Sequence, residues 1–118
     1  MGNILMIVNE PAYGSERAYN GLRLAGTLAK REGLQVRVFL IGDAVDCAKR
    51  GQRTPAGYYN IEAMLGTLLE QHDEVGLCGS CLDSRGIADA DITPGTRRSS
   101  MEELATWAGE WADKVIVF

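Results

Sequence analysis

Long apolar runs, export signals and nucleotide-binding glycine motifs are all missing from this sequence of 118 residues. The N-terminal apolar run, residues 4–8, is far shorter than the ~20 residues that span a bilayer. It has neither the positive residues before it nor the small-residue cleavage site after it that a signal peptide needs. Neither a P-loop nor a complete Gly-x-Gly-x-x-Gly follows a predicted strand. We therefore expect a cytoplasmic protein with no membrane partner and no signature for nucleotide binding.

Basic residues and cysteines are also few. Twelve Lys and Arg against sixteen Asp and Glu give a net charge of −4, and the basic pairs at 30–31, 49–50 and 97–98 each lie near acidic residues. This balance argues against nucleic acid as a partner. Three cysteines, an odd number without an export signal, predict reduced thiols rather than disulfides. A hydrophobic content of 46% is enough for one core without a metal or a disulfide.

The apolar pattern predicts one α/β domain over residues 1–118. Strands are predicted at 3–9, 35–41, 74–78 and 114–118, the first of them buried on both faces. Helices are predicted at 16–31, 44–50, 61–71, 79–85 and 99–112. Residues 87–98 are predicted to be mostly loop, with a brief strand near 90–92. Because a helix separates successive strands, the strand pairs are expected to be parallel with right-handed crossovers. The expected architecture is a three-layer α/β/α sandwich.

Polar residues mark where the predicted helices begin. Ser15, Asp43 and Asn60 each precede a helical pattern and are predicted to be N-caps. Ser99 and Ser100 begin two overlapping capping boxes, each with a glutamate three residues later.

Three loops are expected to meet at the carboxyl ends of the strands, where open parallel sheets bind ligands. They cover residues 9–15, 42–43 and 78–81. Ser15 and Ser80 each lie at a predicted helix N-terminus, where free N–H groups and the helix dipole favour an anion. The same environment lowers the pKa of a nearby thiol, so the fold favours a thiolate within residues 78–81.

Cys78 and Cys81 form a Cys-x-x-Cys turn that allows four interpretations. They can be a redox pair, although the motif follows the third predicted strand instead of lying early in the chain. They can supply half of a zinc site completed by Cys47 and His72. Cys78 can simply end a buried strand, or one thiolate can act as a nucleophile or sulfur carrier. The sequence alone does not decide among these four interpretations.

Two neighbouring features also have two interpretations each. Arg85 can hold an anion beside a thiolate, or it can form a surface ion pair with Asp83 or Asp89. Tyr58 and Tyr59 can line a pocket or an oligomer contact, or they can pack against the neighbouring helix.

Four segments are ordered and spaced as in a known family. They are ILMIVN (4–9) with YGSER (13–17), FLIGDAV (39–45), LCGSC (77–81) with RGI (85–87), and ADKVIVF (112–118). On these segments the chain resembles the DsrE/DsrF-like family of small sulfur-relay proteins. The resemblance implies a five-stranded, mainly parallel sheet and a homo-oligomer, either a trimer or a hexamer. In the sulfur-transferring members, a cysteine at the end of the third strand carries sulfane sulfur as a persulfide to a partner.

The resemblance also implies a site. Counted back from Arg85-Gly86, the sulfur-accepting residue is Cys78, and the chain departs from the relay subunits in carrying Cys81 as well. Cys81 can resolve a persulfide into a disulfide and release sulfide, or merely lie nearby. Cys78 and Cys81 are therefore the predicted catalytic residues, with no metal and no cofactor. The predicted binding residues are Tyr13, Gly14, Ser15, Asp43, Gly79, Ser80 and Arg85.

The expected partners are a sulfur donor protein and a sulfur acceptor protein. Two alternatives remain open at this point. One is a non-enzymatic, oligomeric binding or scaffold protein of the same fold, and the other is a thiol-disulfide redox protein that uses Cys78 and Cys81.

Overall fold

The computed structural model describes residues 2–55 and 59–118. Five parallel strands, numbered β1 to β5 along the chain, form one sheet in the order β4-β3-β2-β1-β5. The strands are β1 Gly2–Val8, β2 Leu34–Leu40, β3 Glu74–Cys78, β4 Arg97–Ser99 and β5 Lys114–Val117. The α-helices are α1 Arg17–Ala29, α2 Ile61–Glu70, α3 Gly79–Ser84 and α4 Met101–Thr106. Shorter elements are the 3₁₀ helix Gly42–Ala48, the 3₁₀ turn Asp89–Asp91 and the π-helical turn Trp107–Trp111. The predicted α/β class with a parallel sheet is confirmed.

Both faces of the sheet are covered, which explains why its central strands are apolar almost throughout. On β2, Val36 and Val38 are completely buried on one face, and Phe39 is buried on the other, because successive side chains point to opposite faces. α1 and α2 pack against each other and against β1, β2 and β3. The segment that follows α4 covers the face of Phe39. Three layers result.

The π-helical turn after α4 places two tryptophans against the sheet. Trp107 packs edge-on against Phe39, with ring centroids 6.1 Å apart. The Arg37 guanidinium lies 5.1 Å from the ring centre of Trp107 and 4.0 Å from that of Trp111, so both indoles stabilise its charge. Gly76 on β3 leaves room for this packing, since a Cβ there would lie 3.2 Å from the Trp107 ring.

The fourth strand is not where the sequence places it. Residues 89–91 form a 3₁₀ turn, and Ile92 makes only an isolated antiparallel bridge to Lys49, so the strand predicted near 90–92 is wrong. The strand is β4, which lies at the sheet edge beside β3, where the sequence predicts the end of a loop and the start of a helix. Its arginines are exposed and held by carboxylates, as when Arg97 bonds Glu103 over 2.7 and 2.8 Å. A short, polar edge strand has no apolar pattern to reveal it.

Two predicted N-caps are confirmed. Asn60 Oδ1 accepts the Ala63 N–H over 2.9 Å at the start of α2, and Ser100 Oγ accepts the Glu103 N–H over 3.2 Å at the start of α4. The neighbouring capping box does not form, because the Ser99 hydroxyl donates to the Glu103 carboxylate instead.

Two other helix starts differ from the prediction. Glu16 occupies the N-cap position of α1 without a side-chain hydrogen bond, and the hydroxyl of Ser15, one residue earlier, accepts the Arg17 N–H over 3.2 Å. The helix predicted at 44–50 is the 3₁₀ helix Gly42–Ala48, which contains Asp43 in its first turn rather than following it. The loop after β2 is therefore tighter than the sequence pattern indicates.

Among the described residues, every helix is too short or too polar to cross a membrane. Tyr59 stacks on Tyr19 of α1 with ring centroids 3.8 Å apart, so this residue packs on a helix. Tyr58, predicted to share its role, lies outside the described residues.

Candidate functional site

The carboxyl ends of β2 and β3 meet at the Cys-x-x-Cys turn. Cys78 is the last residue of β3, and Cys81 lies in the first turn of α3. The Gly42 N–H, directly after β2, donates to Cys81 Sγ over 3.2 Å. Gly42 has a φ of +61°, a conformation that glycine adopts without strain. Two of the three predicted loops therefore come together at the thiols.

Cys78 and Cys81 are free thiols in direct contact. The Cys81 thiol donates to Cys78 Sγ over 2.7 Å, and the Ser80 hydroxyl lies 3.3 Å from the same sulfur. Cys78 is 6% exposed, and Cys81 is half-buried. The sulfur pair thus lies just below the surface, among polar groups.

The surroundings of Cys78 favour its thiolate. Burial acts to raise the pKa of Cys78, but hydrogen bonds outweigh it and lower that pKa below the value of an ordinary thiol. Those bonds come from the Cys81 and Ser80 side chains and from the N–H groups of the same two residues. Cys78 is therefore the more acidic member of the pair.

The surroundings of Cys81 have the opposite effect. Burial raises the pKa of Cys81, and so do its hydrogen bond to Cys78 and the charge of that neighbour. The Gly42 N–H and the positive charge of Arg85 oppose this only in part. Cys78 is therefore the first of the two to lose its proton, and the Cys81 thiol is the hydrogen-bond donor to it.

Arg85 links the two loops instead of facing Cys78. Its Nη2 forms an ion pair with Asp43 Oδ1 at 2.7 Å, and its Nη1 donates to the Cys81 carbonyl over 3.1 Å. The nearby carboxylates of Asp83 and Asp89 form ion pairs with Arg98 and not with Arg85. A carboxylate 42 residues away in the chain holds the guanidinium instead.

Arg98 was not recognised from the sequence as part of this region. Its Nη1 donates to the Gly79 carbonyl over 3.0 Å, and its side chain forms ion pairs with Asp83 and Asp89. Gly79 permits this approach, because a Cβ there would lie 3.0 Å from the Ser99 carbonyl oxygen. The Cys-x-x-Cys turn is thereby fastened to β4, a strand that the sequence pattern did not reveal.

The first predicted loop lies against the 3₁₀ helix. The Tyr13 hydroxyl donates to Gln52 Oε1 over 2.6 Å and accepts the first N–H of α2 over 3.0 Å. A Cβ on Gly14 would lie 2.8 Å from the ring of Pro11, so the turn requires glycine. Within residues 2–55 and 59–118, no hydrogen bond of Tyr13, Gly14 or Ser15 reaches the thiols. Their binding role stays a prediction.

Of the four candidate zinc ligands, Cys78 and Cys81 are in contact, but Cys47 and His72 do not complete a site with them. Cys47 is completely buried, and its thiol donates to the Glu10 carbonyl over 3.9 Å. Burial raises the pKa of Cys47 to about 12, so it remains a neutral thiol. In the described part of the chain, no three His, Cys, Asp or Glu side chains are placed to hold a metal ion.

A basic groove of ≈ 570 Å³ adjoins Arg85. Its lining is Lys49, Arg50, Gly51, Arg85, Gly86, Ile87, Ala90 and Asp91, so the thiols lie outside it. Arg50 is positioned by a 3.1 Å hydrogen bond to the Ala90 carbonyl, which leaves other guanidinium donors available. Among the described residues, neither Lys49 nor Arg50 forms an ion pair. The groove can therefore receive an anionic group.

Similar proteins match the whole chain. It is 42% identical over 119 residues to Protein YchN of Escherichia coli strain K12, with 100% of both chains covered. An uncharacterized protein of Methanopyrus kandleri is 40% identical over 115 residues, covering 98% of this chain and 93% of its own length. The crystal structure of the E. coli ychN protein superposes with a TM-score of 0.93 over 100% of both chains.

A more distant structure shows that the fold is shared beyond these sequences. A protein of unknown function from Methanobacterium thermoautotrophicum has a TM-score of 0.76 at 15% identity, with 100% of both chains covered. The model of the DsrE/DsrF-like family matches residues 2–118. On this match and on the 42% identity over the full length, the chain belongs to the DsrE/DsrF-like family.

Proposed function

We propose that this chain is a cytoplasmic sulfur-relay protein that accepts sulfane sulfur on Cys78 as a persulfide and passes it to an acceptor. The observation that most directly supports the proposal is the set of hydrogen-bond donors to the Cys78 sulfur. These donors are the Cys81 and Ser80 side chains and the backbone N–H groups of the same two residues. These donors stabilise a negative sulfur, and the thiolate is the nucleophilic form of cysteine. Membership of the DsrE/DsrF-like family supports the same role.

The proposed loading step needs only a persulfide donor. The Cys78 thiolate attacks the outer, sulfane sulfur of R–S–SH, forming a new S–S bond as the S–S bond of the donor breaks. The donor leaves as R–S⁻, which takes up the proton, and Cys78 carries –S–SH. Transfer to an acceptor thiolate repeats the exchange in the other direction, so no external oxidant is required.

The donors and acceptors are proposed to be other proteins or small persulfides. The basic groove beside Arg85 supports donors that present a carboxylate or another anionic group near the thiols. Arg85 is suited to this position because it lines the groove and also contacts the carbonyl of Cys81.

The loading step is tested by intact mass. The Cys81→Ser variant, in which a hydroxyl can still donate to Cys78, is reduced, incubated with cysteine persulfide, desalted and weighed. We expect one adduct of about 32 Da, the mass of one sulfur atom. Adding Cys78→Ser to this variant should abolish the adduct, whereas adding Cys47→Ala should leave it unchanged, since Cys47 is completely buried.

Two results would reject the proposed function. One is the absence of any adduct on Cys81→Ser together with no sulfide release from the wild-type chain. The other is an adduct of the same size that persists when Cys78 is replaced. A Cys78 thiol that titrates at the ordinary ~8.5 and alkylates slowly would instead favour a scaffold protein without thiol chemistry.

A further inference from the structure

The contact between the two sulfurs points to a second activity, which rests on the proposed function. We propose that Cys81 resolves the persulfide on Cys78, so that the chain releases the transferred sulfur as hydrogen sulfide and becomes a Cys78–Cys81 disulfide. The chain then acts as a persulfide-reducing protein whenever no acceptor takes the sulfur first.

The geometry places the attacking atom beside its target. Cys81 Sγ lies 2.7 Å from Cys78 Sγ, and a disulfide needs about 2.05 Å. Both residues lie in one turn, and the Arg98 bond to the Gly79 carbonyl holds that turn against β4. The sulfurs can therefore join with a small movement of two side chains.

The same contact gives the internal thiol an advantage over any external acceptor. Cys78 is 6% exposed, so a thiol from outside must reach a persulfide that is attached to a largely covered residue. Cys81 is already in contact, and an intramolecular reaction between aligned groups has a high effective concentration. A bound acceptor must compete with Cys81 for the persulfide.

Loading of Cys78 changes the environment of Cys81. In the unloaded pair, the charge and hydrogen bond of Cys78 raise the pKa of Cys81 and keep it protonated. In the protonated persulfide, –S–SH, the inner sulfur carries no negative charge, so it no longer raises the pKa of Cys81 or holds its proton. The Gly42 N–H, 3.2 Å from Cys81 Sγ, then stabilises the Cys81 thiolate. Cys81 thus becomes nucleophilic after the sulfur has arrived.

The step balances without an external oxidant. The Cys81 thiolate attacks the inner sulfur of the Cys78 persulfide, a new S–S bond forms between the two cysteines, and the bond to the outer sulfur breaks. The outer sulfur leaves as HS⁻ and takes up a proton. It gains the two electrons that the cysteines lose. Return to the free thiols requires an external dithiol, which supplies two electrons and two protons.

The test compares two loaded proteins over time. Wild type and Cys81→Ser are treated with cysteine persulfide and desalted at once, and sulfide and intact mass are then followed together. We expect Cys81→Ser to keep its adduct of about 32 Da. Wild type should release about one sulfide per loaded chain, at least ~10-fold faster, and end about 2 Da lighter than the reduced chain. A dithiol should restore the reduced mass.

The controls separate this inference from the proposed function. Cys47→Ala should behave as wild type, and thermal unfolding checks that Cys81→Ser is folded. A wild-type adduct as lasting as that of Cys81→Ser would overturn the inference and leave the sulfur-carrying function standing. Equal sulfide release from both proteins would also overturn it, because Cys81 would not be needed. No loading of Cys81→Ser and no sulfide from wild type would instead remove the proposed function itself.

Discussion

Ser80 supplies one of the donors that face the Cys78 sulfur, with its hydroxyl oxygen 3.3 Å away. This hydrogen bond lowers the pKa of Cys78, so the Ser80→Ala variant should have a less acidic Cys78. Because one such bond contributes about 1 kcal/mol, we expect Cys78 in the variant to react with iodoacetamide about five-fold more slowly at pH 7. The measurement is the alkylation rate as a function of pH.

Ser84 provides a matched control for this prediction. Its hydroxyl donates to the Cys81 carbonyl over 3.0 Å, close to the turn but not to the Cys78 sulfur. Ser84→Ala should therefore leave the alkylation profile unchanged. If both serine variants slow the reaction equally, the effect comes from a change in α3 and the assignment of Ser80 is wrong.

The sequence could predict the two cysteines and the neighbouring Ser80, but not which distant groups contact them. Cys78 ends a clear apolar strand, and a helix beginning there brings residue 81 back beside it. The N–H that reaches Cys81 belongs to Gly42, 39 residues away, and the carboxylate that holds Arg85 is 42 residues away. Such contacts depend on which strands become neighbours in the sheet, and a local sequence pattern does not determine those neighbours.

At the scale of the elements, Gly76 controls how closely the tryptophan-bearing turn packs on β3. A Cβ there would lie 3.2 Å from the Trp107 ring and 3.3 Å from that of Phe39, both buried. Gly76→Ala should lower the free energy of unfolding by roughly 1–3 kcal/mol, as overpacking of a core does. Urea unfolding at neutral pH measures the difference.

In helix α2, a glycine-to-alanine substitution is expected to have the opposite effect on stability. A Cβ on Gly66 would meet nothing within 4 Å, and this residue lies inside the helix. Gly66→Ala should therefore raise the free energy of unfolding by about 0.5–1 kcal/mol through helix propensity. Equal effects of the two substitutions would show that Trp107 can move away at little cost.

The strands that the sequence predicts are those with apolar residues. The pattern predicts the three interior strands β1, β2 and β3, and also β5, whose valines are exposed at the other edge of the sheet. β4 was missed because its arginines are exposed at the edge and are stabilised by ion pairs with distant carboxylates. The hydrophobic pattern reveals strands that contain apolar residues, and the polar strand β4 contains none.

At the scale of the whole molecule, the candidate functional groups lie at one end of the sheet. The carboxyl ends of β2 and β3 hold the thiols, while the basic groove lies beside them and Arg85 belongs to both. The chain as a whole carries a net charge of −4, so this groove is a local exception. The proposed sulfur chemistry at Cys78 and the proposed attraction of an anionic donor therefore involve one region of the molecule.

β5 forms the other edge of the sheet, and its exposed valines are relevant to how copies of the chain assemble. Val115 and Val117 on this strand are 43% and 60% exposed, and the strand pairs only with β1 among the described residues. An apolar edge strand tends to be covered by another chain. Family membership leads us to expect a trimer or a hexamer, in which a second copy covers this edge.

Light scattering tests this expectation directly, because the assembled particle should have three or six times the 12.8 kDa of one chain. Val117→Lys should shift the distribution towards smaller species, since it places a charge on the apolar edge strand. Gln71→Lys, at an exposed position just after α2, adds the same charge elsewhere and should leave the mass unchanged. A wild-type protein that stays monomeric at high concentration would contradict the assembly. It would not contradict the proposed chemistry of Cys78 and Cys81, because the hydrogen bonds described for their sulfurs lie within one chain.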